Sequence, residues 1–126
     1  MKKLLPAFLL ACCVQFVHAQ IRMTYVNPVT QEIRIRNFGT NTVDVSTYRL
    51  CGLFEYANLS QPSVAIVSGD YSLSAYESVT IHWTASTGFN TTASDIGLYL
   101  PSGAYSDPAS MVDFMQYGAG GQGREG

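Results

Sequence analysis

The chain has 126 residues with 7 basic and 9 acidic side chains, a net charge of −2; this suits one small domain and is short for a doubly wound α/β fold with its crossover helices. Both lysines, Lys2 and Lys3, lie at the N-terminus, so the rest of the chain carries 5 arginines against 9 acids, or −4. That balance excludes a broad basic groove for nucleic acid and argues against anionic lipid, because either polyanion would be repelled rather than steered.

The first element is a leader. Lys2 and Lys3 precede a largely apolar run over residues 4–17, and Val17-His18-Ala19 supplies tolerated residues at a cleavage point. The pattern predicts a signal peptide over residues 1–19, with Gln20 as the new N-terminus and a secreted or cell-surface product. The run is broken by Pro6 and Gln15 and falls short of the roughly 20 residues a bilayer span needs, so no transmembrane segment is expected. Leu9-Leu10-Ala11-Cys12 resembles a lipoprotein cleavage box, which makes a lipid anchor at Cys12 the alternative. Cleavage after Ala19 leaves Cys51 as the one cysteine, too few for an internal disulfide. The expected role for Cys51 is a small buried residue at a strand end, with pairing to another chain as the second reading.

Strands and turns follow. Tyr25-Val26 belongs to a first strand closed by Asn27-Pro28. In residues 32–38, Ile33 and Ile35 alternate with Arg34 and Arg36, the period of a half-buried strand. Asn37 breaks that rhythm, which predicts a bulge, and Gly39 is suited to a positive φ in the turn that follows. Val43, Val45, Tyr48 and Leu50 resume the apolar pattern, and residues 63–67 form a further apolar run. Tyr71, Leu73 and Ala75 alternate with serines. The clearest strand sets Val79, Ile81 and Trp83 inward against Thr80, His82 and Thr84 outward. Ile96, Leu98 and Leu100 alternate with Gly97 and Tyr99, and residues 111–117 make the last strand. About seven short strands in about 95 residues, with no convincing helical period, predict an all-β sandwich. Residues 119–126 read as a glycine-rich tail or the start of a linker.

Chemistry-bearing residues are few. His82 is the one histidine after the leader and reads as a solvent-facing strand residue. No spacing implies a metal site, and no P-loop, dinucleotide loop or calcium-loop pattern is present, so no metal or cofactor is expected. A Cys51–His82 nucleophile–base pair and a calcium site joining Asp95 to Asp107 are the minor alternatives. Asn58-Leu59-Ser60 and Asn90-Thr91-Thr92 fit the N-glycosylation pattern. Eight tyrosines are many for this length, and Tyr56, Tyr76 and Tyr105 fall in loops or at strand starts, where aromatic residues suit recognition. Three polar loops, residues 60–63, 86–94 and 102–110, are the expected recognition surface. Phe89 and Tyr105 are its aromatic candidates, and Asp95 and Asp107 its polar ones.

Glu32-Ile33-Arg34-Ile35-Arg36-Asn37-Phe38-Gly39, followed by Val43-Asp44-Val45-Ser46-Thr47-Tyr48-Arg49-Leu50, resembles the opening of the lamin-tail domain family. Residues 71–81 are similar to the family's strand–turn–strand segment, with Ala75-Tyr76-Glu77 in place of its Pro-Gly turn. Residues 90–98 and Met111-Val112-Asp113-Phe114-Met115-Gln116-Tyr117-Gly118 are similar to its last turn and closing strand. The resemblance implies an immunoglobulin-like β-sandwich over residues 20–118. It carries no catalytic residues, and in exported bacterial proteins the family serves as an accessory or attachment module. The expected function is a non-catalytic exported module attached to a surface polymer or partner protein. The alternatives are a small secreted hydrolase with a loop-built site and an accessory domain of a longer secreted enzyme.

Overall fold

The computed structural model describes residues 20–87 and 89–119. The expected leader over residues 1–19 and residues 120–126 of the tail lie outside them.

Ten strands follow one another: β1 (Ile21–Asn27), β2 (Glu32–Asn37), β3 (Val43–Asp44), β4 (Arg49–Gly52), β5 (Glu55–Asn58), β6 (Val64–Ser68), β7 (Ser72–Leu73), β8 (Ser78–Trp83), β9 (Ser94–Tyr99) and β10 (Met111–Tyr117). A 3-10 turn at Pro108–Ser110 precedes β10. The count exceeds the expected seven for local reasons. The apolar stretch 43–50 is divided by a turn at Ser46-Thr47 into β3 and β4. β5 has too few apolar residues to show in the pattern.

Two four-stranded sheets, β1-β2-β8-β6 and β10-β9-β4-β5, and the small pair β3-β7 account for these strands. Every pairing is antiparallel. The chain is thus an all-β sandwich. Ile33 and Ile35 of β2 and Val79, Ile81 and Trp83 of β8 are buried, as are Leu50, Ala57, Ile96 and Leu98 of the second sheet, and all join one core cluster. Alternation places them there, because side chains of period two share one face of a sheet.

On β8 the inward set is as the alternation predicts, and His82 is half-buried and Thr84 exposed. Thr80 departs from it and is buried. It stands opposite Arg34, whose Nε donates to Thr80 Oγ1 at 3.2 Å and whose side chain covers it.

Asn37 makes no bulge. It pairs in register with Ile21 and is fully buried. Its Nδ2 donates to the carbonyls of Asn41 (2.7 Å), Leu73 (3.0 Å) and Ser74 (3.2 Å), and its Oδ1 accepts from Gly39 N at 2.8 Å. The amide thereby ties β2 to the turn after it and to β7. Gly39 is not at positive φ. Its small size serves a close approach instead, since a Cβ there would lie 2.0 Å from Gln20 Oε1.

The irregularities fall between Met23 and Tyr25, Ile66 and Ser68, and Met111 and Asp113. The first and third meet. Asp113 Oδ2 accepts from Met23 N at 2.7 Å, and Oδ1 pairs with Arg22 Nη1 at 3.2 Å. One carboxylate thus stitches the β1 edge to the β10 edge.

Two expectations about burial change. The apolar run of β6 is mostly on the surface, with Ala65, Ile66 and Val67 exposed, because β6 is the outermost strand of its sheet. All six residues of β9 are buried, Tyr99 included, because β9 is a central strand and its outer face is covered by the loop after it.

Candidate functional site

The outer face of the second sheet carries an aromatic cluster. Arg49 stands opposite Tyr99, and Cys51 opposite Gly97 and Tyr56. Leu50 and Leu98 fill the core face, so these five residues share the other side. Gly97 is required there: a Cβ would lie 2.6 Å from Tyr99 Cε2, so the missing side chain makes room for the ring.

The loop over residues 101–110 folds onto this face. The Tyr105 ring lies 4.9 Å from Tyr99 in an edge arrangement and 4.4 Å from Tyr56 at a tilt of 46°. The Arg49 Cζ sits 4.4 Å from the Tyr105 ring centroid, a cation–π contact. Arg49 also fixes the loop's backbone. Its Nε donates to Leu100 O at 2.7 Å, and its Nη2 to Ser102 O (3.1 Å) and Gly103 O (2.8 Å). Burial pushes the Tyr105 phenol pKa up, with Arg49 pulling it down and Cys51 and Tyr56 raising it further.

The β4–β5 hairpin, which carries Tyr56, brings one further ring, Phe54, to its tip. Its two-residue turn has Leu53 at φ 44° and Phe54 at φ 65°, the type I′ geometry that ordinarily takes Asn-Gly. The buried Asp95 carboxylate accepts from Leu53 N at 3.1 Å and holds the turn. Phe54 is 59% exposed and Tyr56 45% exposed. Glu55 between them points elsewhere and grips Ser86 and Thr87, accepting from both backbone N–H groups at 3.0 and 2.7 Å. Tyr56 and Tyr105 thus form an aromatic ledge with Arg49, and Phe54 stands exposed at the hairpin tip, two residues along the chain from Tyr56.

Of the four residues the sequence offers as a recognition surface, Tyr105 alone lies on this ledge. Phe89 is buried, 7% exposed, with its ring edge-on to Trp83 at 5.7 Å, and so belongs to the core. Asp95 is buried beneath the hairpin. Asp107 is exposed but occupied, its Oδ1 accepting from Ala109 N at 3.0 Å to cap the 3-10 turn. Asp95 and Asp107 thus serve separate turns, and among the described residues no group of three or more His, Cys, Asp or Glu side chains is placed to hold a metal ion. The structure does not unite Cys51 with His82. Cys51 is buried on β4 of one sheet, and His82 lies on β8 of the other with the core between them. Arg49 and Phe54 are the site residues that the pattern does not single out. The one signal for Phe54 is Gly52, a residue of turn character just before it, where the hairpin reverses.

No protein-family model matches the chain, and no curated protein does. Among solved structures, the fold is similar to the archaellum periplasmic stator protein complex FlaF and FlaG from Sulfolobus acidocaldarius, with TM-score 0.54 and 14% identity over 78% of this chain and 88% of that one. It is also similar to the archaellum periplasmic stator protein FlaG from Sulfolobus acidocaldarius, with TM-score 0.50 and 14% identity over 78% of this chain and 98% of that one. At that identity the likeness is one of fold, an all-β sandwich.

Proposed function

We propose that this chain is a non-catalytic module of the cell surface that holds a partner protein on the ledge of Tyr56 and Tyr105 over Arg49 together with Phe54 of the hairpin tip. The observation that carries the reading is the hairpin tip. Left-handed backbone costs a residue with a side chain roughly 1–2 kcal/mol, and here two bulky apolar residues in succession adopt it. Such strain persists where the display of a side chain matters. The displayed groups, aromatic rings beside an arginine, are those enriched at the centres of protein interfaces.

Three further points support the same reading. The expected leader directs the chain out of the cytoplasm. The lamin-tail resemblance points to an attachment module. One of the fold neighbours is, by its description, a complex of two periplasmic stator proteins. No helix among the described residues is long and apolar enough to cross a membrane.

The test is affinity purification of surface proteins on the mature chain, followed by titration of the identified partner against wild type and a Phe54→Ala/Tyr56→Ala variant. A loss of about tenfold or more in affinity is expected, as for central interface aromatics. Unchanged affinity, binding to neutral glycans in place of any protein, or hydrolytic turnover abolished by Cys51→Ala or His82→Ala would each overturn the reading.

A further inference from the structure

Three of the five arginines stand together on the outer face of the first sheet. Arg22 and Arg36 are directly opposite each other on β1 and β2, and Arg34, two residues from Arg36 on the same face, is opposite Tyr25. Like charges directly opposed across a ladder destabilise it, so the fold carries this arrangement against its own stability. Among the described residues only Arg22 has a carboxylate partner, Asp113. Arg34 is held by its Nε bond to Thr80. Arg36 Nε is buried and has no hydrogen-bond partner among the described residues. Glu32 is the acid on this face, at its far end, where its carboxylate accepts from Thr30 Oγ1 at 3.1 Å.

Each of the two guanidinium groups without a carboxylate partner among the described residues leans on an exposed ring. Arg34 Cζ is 5.6 Å from the Tyr25 centroid and Arg36 Cζ 5.2 Å from the Phe38 centroid. The rings are 38% and 45% exposed, respectively. Stacking on a ring limits the freedom of a long side chain, so less entropy is lost when its fork closes on a carboxylate.

We propose that this face binds an extended acidic segment of a partner protein, with Asp or Glu at alternate positions. Alternate residues of an extended chain repeat at about 6.5–7 Å, which is also the spacing of Arg34 and Arg36 along β2. Each guanidinium can take one carboxylate in a two-pronged, charge-assisted contact, and the rings supply apolar surface for the stems. The size of the patch favours a short segment over a long uniform polyanion, because the remainder of this acidic chain repels the latter. The proposal rests on the reading of the chain as a protein-binding module, but it uses the opposite sheet from the aromatic ledge.

The test uses the exported protein and a fluorescent peptide of alternating Glu and Thr, with a Lys-Thr peptide and heparin as comparators. The Glu-Thr peptide should bind, and its affinity should fall about tenfold or more between about 50 mM and about 500 mM salt, as exposed charge pairs are screened. Arg34→Gln/Arg36→Gln, checked for folding by thermal melting, should weaken it about tenfold or more, while Phe54→Ala/Tyr56→Ala leaves it unchanged. Should the double variant not fold, Arg34→Lys keeps the charge, loses the fork and should still weaken binding several-fold. Salt-independent binding, equal affinity for the Lys-Thr peptide, tighter binding of heparin, an unaffected arginine variant or loss of the peptide in the Phe54→Ala/Tyr56→Ala variant would each overturn the proposal. A ledge that takes no partner while the peptide still binds would sink the ledge reading alone.

Discussion

Arg49 both stacks on Tyr105, with its Cζ 4.4 Å from the ring centroid, and binds three carbonyls of the chain that carries that ring, those of Leu100, Ser102 and Gly103. One side chain thus sets the height and the orientation of the ring. Arg49→Lys removes the planar fork, and a single ammonium cannot span the same three acceptors while stacking. The expected loss is about 1.5–3 kcal/mol, the range for hydrogen bonds made by a charged group. Chemical denaturation measures it. Hydrogen exchange should quicken in residues 101–110 and stay slow in β8.

The hairpin tip predicts a trade between stability and display. Leu53→Asn with Phe54→Gly gives the turn the residues its geometry favours. Relief of two left-handed side-chain residues should raise stability by about 1–2 kcal/mol. The same change removes the Phe54 ring from the hairpin tip, so partner affinity should fall as the melting temperature rises. Calorimetry beside a binding titration reads both. A variant that gains stability and keeps its affinity would show that Phe54 has no part in recognition.

Asn37 is expected to be among the least replaceable polar residues. Asn37→Ala removes three bonds to the carbonyls of Asn41, Leu73 and Ser74 and frees the turn at Gly39, a loss of about 1–3 kcal/mol. Asn37→Asp should be worse, because it aims a carboxylate at three carbonyl oxygens. Two other substitutions calibrate the scale. Phe89→Ala should cost about 3–5 kcal/mol as a core truncation. His82→Ala should stay within about 0.5 kcal/mol as a half-buried outer-face residue. Urea unfolding of the four variants gives the ranking.

Alkaline stability follows from the tyrosines. Burial raises the pKa of Tyr48, Tyr71, Tyr105 and Tyr117 above the ordinary 10.0. The folded state therefore holds these phenolic protons more tightly than the unfolded state does. The associated stability is complete below pH about 10 and is lost as pH rises through the folded values. The share of the tyrosinate absorbance that belongs to these four of the eight tyrosines should thus appear late in an alkaline titration and coincide with loss of the fold by circular dichroism. All eight phenols titrating together near pH 10 with the fold intact would contradict the burial of these four.

The all-β class was legible in the sequence because the strands that build the core alternate cleanly. Ile33 and Ile35 against the arginines, and Val79, Ile81 and Trp83 against their polar neighbours, state their burial in one dimension. β6 and β9 show where that reading stops. Each has apolar residues on the expected period, but burial depends on neighbours in the sheet. An outermost position exposes Ile66, and a covering loop hides Tyr99. The site was less legible for the same reason. Phe89 and Asp95 lie in polar or turn-like text, yet one packs on Trp83 and the other supports a hairpin turn. Arg49 sits unremarkably between Tyr48 and Leu50. Its partners are about 50 residues away, so no local pattern could announce it.

The irregularity between Ile66 and Ser68 has a consequence for colloidal behaviour. Val64-Ala65-Ile66-Val67 is an uncharged, β-branched run on an outer strand, the composition that lets copies of a protein zip together edge to edge. The bulge interrupts its hydrogen-bonding register and twists the strand away from a flat template. The side of the sandwich bearing β1 and β10 is stitched by Asp113, so crowding at a surface loads the β6 side alone. Val67, the extra residue of that bulge, is thus the point at which this edge departs from a flat template.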